Sequence, residues 1–135
     1  LLPNIPLSET VPHILSLDKQ VQLATELVKA GADIIQTEGG TSAKPVHAGT
    51  LGLIEKAAPT LAAAFEISRA VSVPVLCASG ISNVTAPLAI GAGAAGIGVG
   101  SAVSQLNSEV AMIAAVRSLV EALAKVERSQ FSASI

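Results

Sequence analysis

Gly96-Ile97-Gly98-Val99-Gly100-Ser101-Ala102 is the stretch on which the architecture turns. From Gly96 to Val99, glycine alternates with β-branched residues, so a strand here carries branched side chains on one face and almost none on the other. A face of glycines suits the close approach of a backbone or a ligand. A doubly wound open sheet is covered by helices on both faces, and its strands read as bulky throughout. The alternation therefore favours a (β/α)8 barrel over a doubly wound sheet.

Working upstream, Val73 to Ala78 is the preceding strand, broken by Ser79-Gly80. Ser82 or Asn83 caps a helix through Ile90, and Gly91-Ala92-Gly93 ends it. Asp33 to Thr37 is an earlier strand running into Glu38-Gly39-Gly40 and a polar loop to about Thr50. Between these two strands an interrupted helix is expected, with one short piece from Thr50 through Lys56. A second piece starts at Pro59, which suits the first helical position. The first strand spans Leu7 to Pro12. The helix after it has Ser16 as N-cap, Asp18 in the first turn, Val21, Ala24, Leu27 and Val28 at helical spacing, and Gly31 at its end. Downstream of the decisive stretch, a helix runs from about Ser108 to Ala124 with Ile113, Val116, Val120 and Leu123 as its apolar stripe.

Strands alternating with helices give an α/β fold with a parallel sheet, here four βα units. A complete (β/α)8 TIM barrel takes about 250 residues, so the 135 residues present correspond to half of one. Residues 1–127 are expected to form that half barrel, and 128–135, polar and serine-rich, a frayed tail. The chain opens Leu1-Leu2-Pro3 without a methionine and without a signal or transit segment, so the expectation is a processed chain or a piece of a longer one.

Composition removes several function classes. Hydrophobic residues make up 50% and charged residues 13%, which excludes a disordered chain. The net charge is −2 with no basic run, so no nucleic-acid partner is expected. Aromatic residues are limited to Phe65 and Phe131, too few for a base-stacking platform. No apolar run is long enough for a transmembrane helix, so no membrane partner is expected. Cys77, the single cysteine, excludes an internal disulfide framework and sits inside a strand, where a buried, inert thiol is expected. His13, His47 and Cys77 lack metal-site spacing, and no metal is assigned.

Two consecutive strand exits carry the strongest chemical signal. Ala78-Ser79-Gly80-Ile81-Ser82 and Gly98-Val99-Gly100-Ser101-Ala102 follow the last two strands. In barrels the loops after the last two strands frequently hold a phosphate. Glycine lets the backbone approach an anion, free N–H groups donate to it, and Ser79 and Ser101 add hydroxyl donors. The ligand-binding candidates are therefore Ser79, Gly80, Gly98, Gly100 and Ser101. The bland alternative is an ordinary pair of tight βα turns, which prefer the same residues. Glu38, at the exit of the second strand, and His13, beyond the first, are the candidates for proton transfer. The competing readings are a solvated carboxylate at the strand exit, or a partner for Lys44, in the case of Glu38, and a structural histidine in the case of His13. His47 reads as a solvated loop residue.

Five segments in order resemble one family: Thr10-Val11-Pro12-His13, Ile35-Gln36-Thr37-Glu38-Gly39, Lys56-Ala57-Ala58-Pro59-Thr60-Leu61, Cys77-Ala78-Ser79-Gly80-Ile81-Ser82 and Gly98-Val99-Gly100-Ser101-Ala102. It is the hypothetical chloroplast open reading frame twenty-three family of algal plastids, cyanobacteria and plants, and the resemblance covers about Leu7 to Leu123. It implies a TIM barrel of which this chain is the C-terminal half, with its strands the fifth to eighth, and a chloroplast location. It implies no reaction. A looser likeness, through Pro74 to Gly80, Ala89 to Ala94 and Gly98 to Gly100, is to flavin mononucleotide (FMN) oxidoreductases and sugar-phosphate epimerases, whose matching turns hold a phosphate. The expectations are thus a small phosphorylated metabolite as ligand, FMN as a possible cofactor, and the missing barrel half or a second copy as partner. The alternatives are an epimerase or isomerase, an FMN-dependent oxidoreductase, and a non-catalytic binding or assembly protein.

Overall fold

The computed structural model describes residues 3–39 and 44–133. Four strands and five helices follow in the order β1 (Ser8–Val11), α1 (Leu17–Lys29), β2 (Ile34–Thr37), α2 (Gly49–Ala70), β3 (Val75–Ala78), α3 (Ala86–Ala92), β4 (Gly96–Gly98), α4 (Ser101–Ser104) and α5 (Glu109–Ala133). All strand pairs are parallel, and the sheet order is β1-β2-β3-β4. Each strand is joined through a helix to its immediate neighbour. Right-handed crossovers then put every connecting helix on the same face. The doubly wound alternative requires a reversal of strand order, and the described strands contain none.

The register sorts the strand residues onto two faces. Glu9, Ile35 and Val75 form one row across the sheet, with Val11 beside Thr37 and Cys77 beside Ile97 on the same side. Val11, Ile35 and Val75 pack with Ala24 of α1 and Ala63 and Ile67 of α2 in one core cluster. Cys77 packs with Ala57 and Ala64 of α2, Ile81, and Ala86 and Ala89 of α3 in a second. The other face carries the row Thr10, Gln36, Leu76, Gly96 and, beyond it, the pair Ala78 and Gly98. None of these residues belongs to either cluster, and all but Ala78 are exposed or half-buried. A side chain at Gly98 would press on Ala78, its Cβ 3.0 Å from the alanine's.

Helix ends follow local chemistry. In α1 the Ala32 N–H donates to the Leu27 carbonyl (3.0 Å) and the Gly31 N–H to that of Val28 (3.1 Å), with Gly31 at φ 112°. This is a Schellman closure, which needs a residue in the left-handed region. The same pair of bonds recurs after α3, from Ala94 to Ala89 (3.1 Å) and from Gly93 to Ile90 (3.0 Å), with Gly93 also at φ 112°. The N-cap of α3 is Thr85 and not Ser82 or Asn83; in the turn ahead of it the Ser82 hydroxyl accepts from the Val84 N–H (3.2 Å) and the Ser82 carbonyl from that of Ala86 (2.8 Å). At the start of α5 the Ser108 hydroxyl accepts from the Ala111 N–H (3.0 Å).

Three further helical expectations are corrected. The interrupted helix is one continuous α2, capped at Ala48 rather than Thr50, with Pro59 inside it. An interior proline removes a backbone bond and costs about 3 kcal/mol. Here the buried face runs straight through it, as Ala57, Thr60, Ala63, Ala64 and Ile67, so packing on the sheet overrides the local preference. In α5 the stripe Ile113, Val116 and Val120 is 46%, 46% and 60% exposed. Of the expected stripe only Leu123 reaches the core, joined there by Leu119 and Ala122, because α5 packs on α3 and α4 by one flank only. Finally, α5 runs beyond Ala124 to Ala133, so the polar composition from Arg128 does not end the helix, and residues 134 and 135 lie outside the described ones.

Candidate functional site

A cleft of about 650 Å³ opens at the carboxyl ends of β3 and β4, between their exits and α2. All five ligand-binding candidates line it: Ser79, Gly80, Gly98, Gly100 and Ser101. Gln36 of the bare face and Leu53 and Lys56 of α2 complete the principal walls. Lys56 is the charged residue among the lining side chains. Nothing in the local sequence pattern points a lysine in mid-helix at a strand exit. The lining contains no aromatic side chain. Phe65 sits on the outer side of α2 under the Arg69 guanidinium, 3.3 Å from the ring centroid.

The β3 exit is held in an unusual backbone conformation. Ser79 has φ 69°, the non-glycine residue with positive φ among those described, and Gly80 follows at φ 79°. A non-glycine residue in the left-handed region carries a local cost of order 1–3 kcal/mol, and such residues cluster at binding sites. The surroundings impose it. Gly39 lies so close to the Ser79 carbonyl that a Cβ there would overlap it, and a Cβ on Gly80 would sit 2.8 Å from the Lys56 carbonyl.

Beneath this turn a buried hydroxyl relay ties three elements together. The Thr60 hydroxyl donates to the Ala78 carbonyl (2.6 Å), so the proton between Thr60 and Thr37 (2.6 Å) comes from Thr37. Thr37 in turn accepts from the Ala78 N–H (3.3 Å). Both peptide groups of the last β3 residue are thereby fixed to β2 and α2. The Cys77 thiol lies in the same buried layer, 3.6 Å from the Thr60 hydroxyl, and burial pushes its pKa up. The burial expected of a thiol in a strand interior is thus observed.

His13 and Glu38 are brought together at the adjacent exits of β1 and β2. Glu38 Oε2 accepts from the His13 backbone N–H (2.9 Å) and lies 2.7 Å from His13 Nδ1. The backbone bond and then the ring contact hold the Glu38 carboxyl below its ordinary value. Its partner is thus His13 and not Lys44. Neither residue lines the cleft itself, but Glu38 lies between Gln36 and Gly39, which do. A second histidine–glutamate pair, His47 with Glu55, sits at the start of α2. Glu55 Oε2 accepts from the Val46 N–H (2.6 Å), and its other oxygen meets the His47 ring. Those contacts, the ring first, lower the Glu55 pKa. Among the described residues no three His, Cys, Asp or Glu side chains gather as a metal site, and no helix is long and apolar enough to cross a membrane.

Residues 1–129 match the family described as protein of unknown function (DUF561). The chain belongs to that family. Relatives named uncharacterized protein ycf23 include those of Porphyra purpurea, 40% identical over 84% of this chain and 43% of the relative, and Cyanophora paradoxa, 44% identical over 84% and 46%. A third, from Cyanidium caldarium, is 35% identical over 89% of this chain and 49% of the relative. The resemblance carried by the five sequence segments is therefore borne out. The chain spans about half the length of the DUF561 relatives it matches.

Proposed function

We propose that this chain is one half of a closed (β/α)8 barrel in a chloroplast protein, and that its cleft binds a small phosphorylated metabolite. The observation that carries the ligand reading is the convergence of the β3 and β4 exits with Lys56 in one cleft, with Ser79 held in a left-handed conformation there. Backbone N–H groups at glycine turns, two serine hydroxyls and a nearby ammonium suit a phosphate dianion. Isothermal titration with ribose 5-phosphate tests it. Ser101→Glu introduces charge and bulk at the cleft, and unchanged affinity in that variant sinks the reading.

The barrel reading is supported by the sequential strand order, the bare face, and the open edges at β1 and β4. Open parallel edges expose unpaired backbone groups and invite pairing. The exposed apolar stripe of α5 flanks the β4 side, where the next βα unit of a barrel would pack. We assign that place to further βα units of a family-length chain, since the relatives are about twice as long. A concentration-independent, monomeric unfolding transition of this chain alone contradicts the assignment. Co-expression with the other half of a relative is expected to abolish self-association.

A further inference from the structure

The geometry points to His13, not Glu38, as the proton-transfer group on the rim beside the cleft, with Glu38 the positioning residue that leaves His13 Nε2 as the ring's lone-pair nitrogen for a ligand that extends from the cleft to β1. This rests on the phosphate reading of the cleft. One oxygen of Glu38 receives two contacts from His13, the backbone N–H at 2.9 Å and ring Nδ1 at 2.7 Å. An oxygen already accepting from an amide meets Nδ1 best as an acceptor again, so the ring proton sits on Nδ1. Nε2 then carries the lone pair in the neutral ring, the arrangement by which a fixed carboxylate defines a histidine's tautomer. The loop is held from both sides, since Gln20 donates its side-chain amide to the Leu15 carbonyl (2.8 Å). His13 itself is half-buried.

Position sets the ligand's size. His13 follows β1, Glu38 follows β2, and the phosphate candidates follow β3 and β4, all at the same ends of adjacent parallel strands. At about 4.8 Å per strand spacing, β1 lies roughly 10 Å from β3 and roughly 14 Å from β4. A phosphate alone at Ser79 and Ser101 does not span that distance, so a ligand that meets His13 needs a sugar-sized extension beyond its phosphate.

The test is nitrogen NMR on the full chain labelled at its two histidines. Neutral His13 is expected with Nδ1 protonated and Nε2 bare. Glu38→Gln should move its proton toward Nε2 while the His47 signals stay put and report an intact fold. Glu38→Asp, which keeps the carboxylate, should restore the original tautomer in part. Ribose 5-phosphate should shift His13 Nε2, and inorganic phosphate should shift the Gly80 and Ser101 amides alone. A wild-type His13 protonated on Nε2, or a tautomer indifferent to Glu38→Gln, overturns the positioning role. A sugar phosphate that moves the Gly80 and Ser101 amides and leaves His13 untouched overturns the ligand-facing role. Amides that respond to neither phosphate overturn the cleft reading and, with it, the ligand-facing role, while the tautomer result stands separately.

Discussion

On the helix side of the sheet, Val11, Ile35, Val75 and Cys77 are each at most 2% exposed, while Thr10, Gln36 and Leu76, their neighbours in sequence, point the other way and meet no helix. Alternation along a strand separates two jobs within the same few residues. One face supplies the apolar burial that folds the domain. The other is sparse, ending in Gly96 and Gly98, and leaves room at its carboxyl rim for the cleft. The contrast teaches that composition alone misleads here: a chain with 50% hydrophobic residues places part of that surplus where nothing in the described structure covers it.

The contrast breaks first if stability does not follow it. Ile67→Ala on the covered side removes a fully buried side chain, and an unfolding titration should show a loss of about 2–5 kcal/mol. Leu76→Ala on the bare side should cost under about 1 kcal/mol in the isolated chain, because its side chain is only half-buried. Equal losses would mean that the bare face is covered in solution. Next in size is Thr60→Val, which leaves the Ala78 carbonyl without its hydroxyl donor at a cost of about 1–3 kcal/mol. Because that bond sits under Ser79, the same variant should also weaken binding of ribose 5-phosphate. Unchanged affinity would separate the relay from the cleft.

Lys56→Gln should lower ribose 5-phosphate affinity by roughly tenfold, or about 1.4 kcal/mol, with little change in the unfolding midpoint. The smallest effect is the acid dependence. Glu38 is held below its ordinary value of 4.5, so its contribution is fully present above that value and is lost as pH falls through the lowered one. Glu38→Gln should therefore flatten the decline of the unfolding midpoint below about pH 4.5, within the small range of exposed ion pairs.

Much of the fold is legible locally. The alternation of apolar strands with capped helices places all four βα units, and the glycine turns after β3 and β4 mark the cleft. What local pattern misses is decided by distant packing. Pro59 has every local reason to begin a helix, yet the buried row from Ala57 to Ile67 carries α2 through it. Val116 and Val120 have the spacing of a core face, yet no described element covers them. His13 and Glu38 were each visible as chemistry-bearing residues, but their pairing depends on β1 and β2 lying side by side in register, which is a property of the sheet.

The unbroken α2 has a consequence for how this family can vary in length. Its 22 residues make a rod about 33 Å long, and Lys56 precedes Ile67 by eleven residues, close to three full turns. The cleft lysine and the core isoleucine therefore lie on one line along the helix. A single inserted residue between them would swing Lys56 by about 100° away from the cleft while leaving the core seated. Even an insertion close to whole turns, which restores the facing, would move Lys56 about 5 Å per turn along the axis, so the segment between the two residues fixes a length as well as a direction.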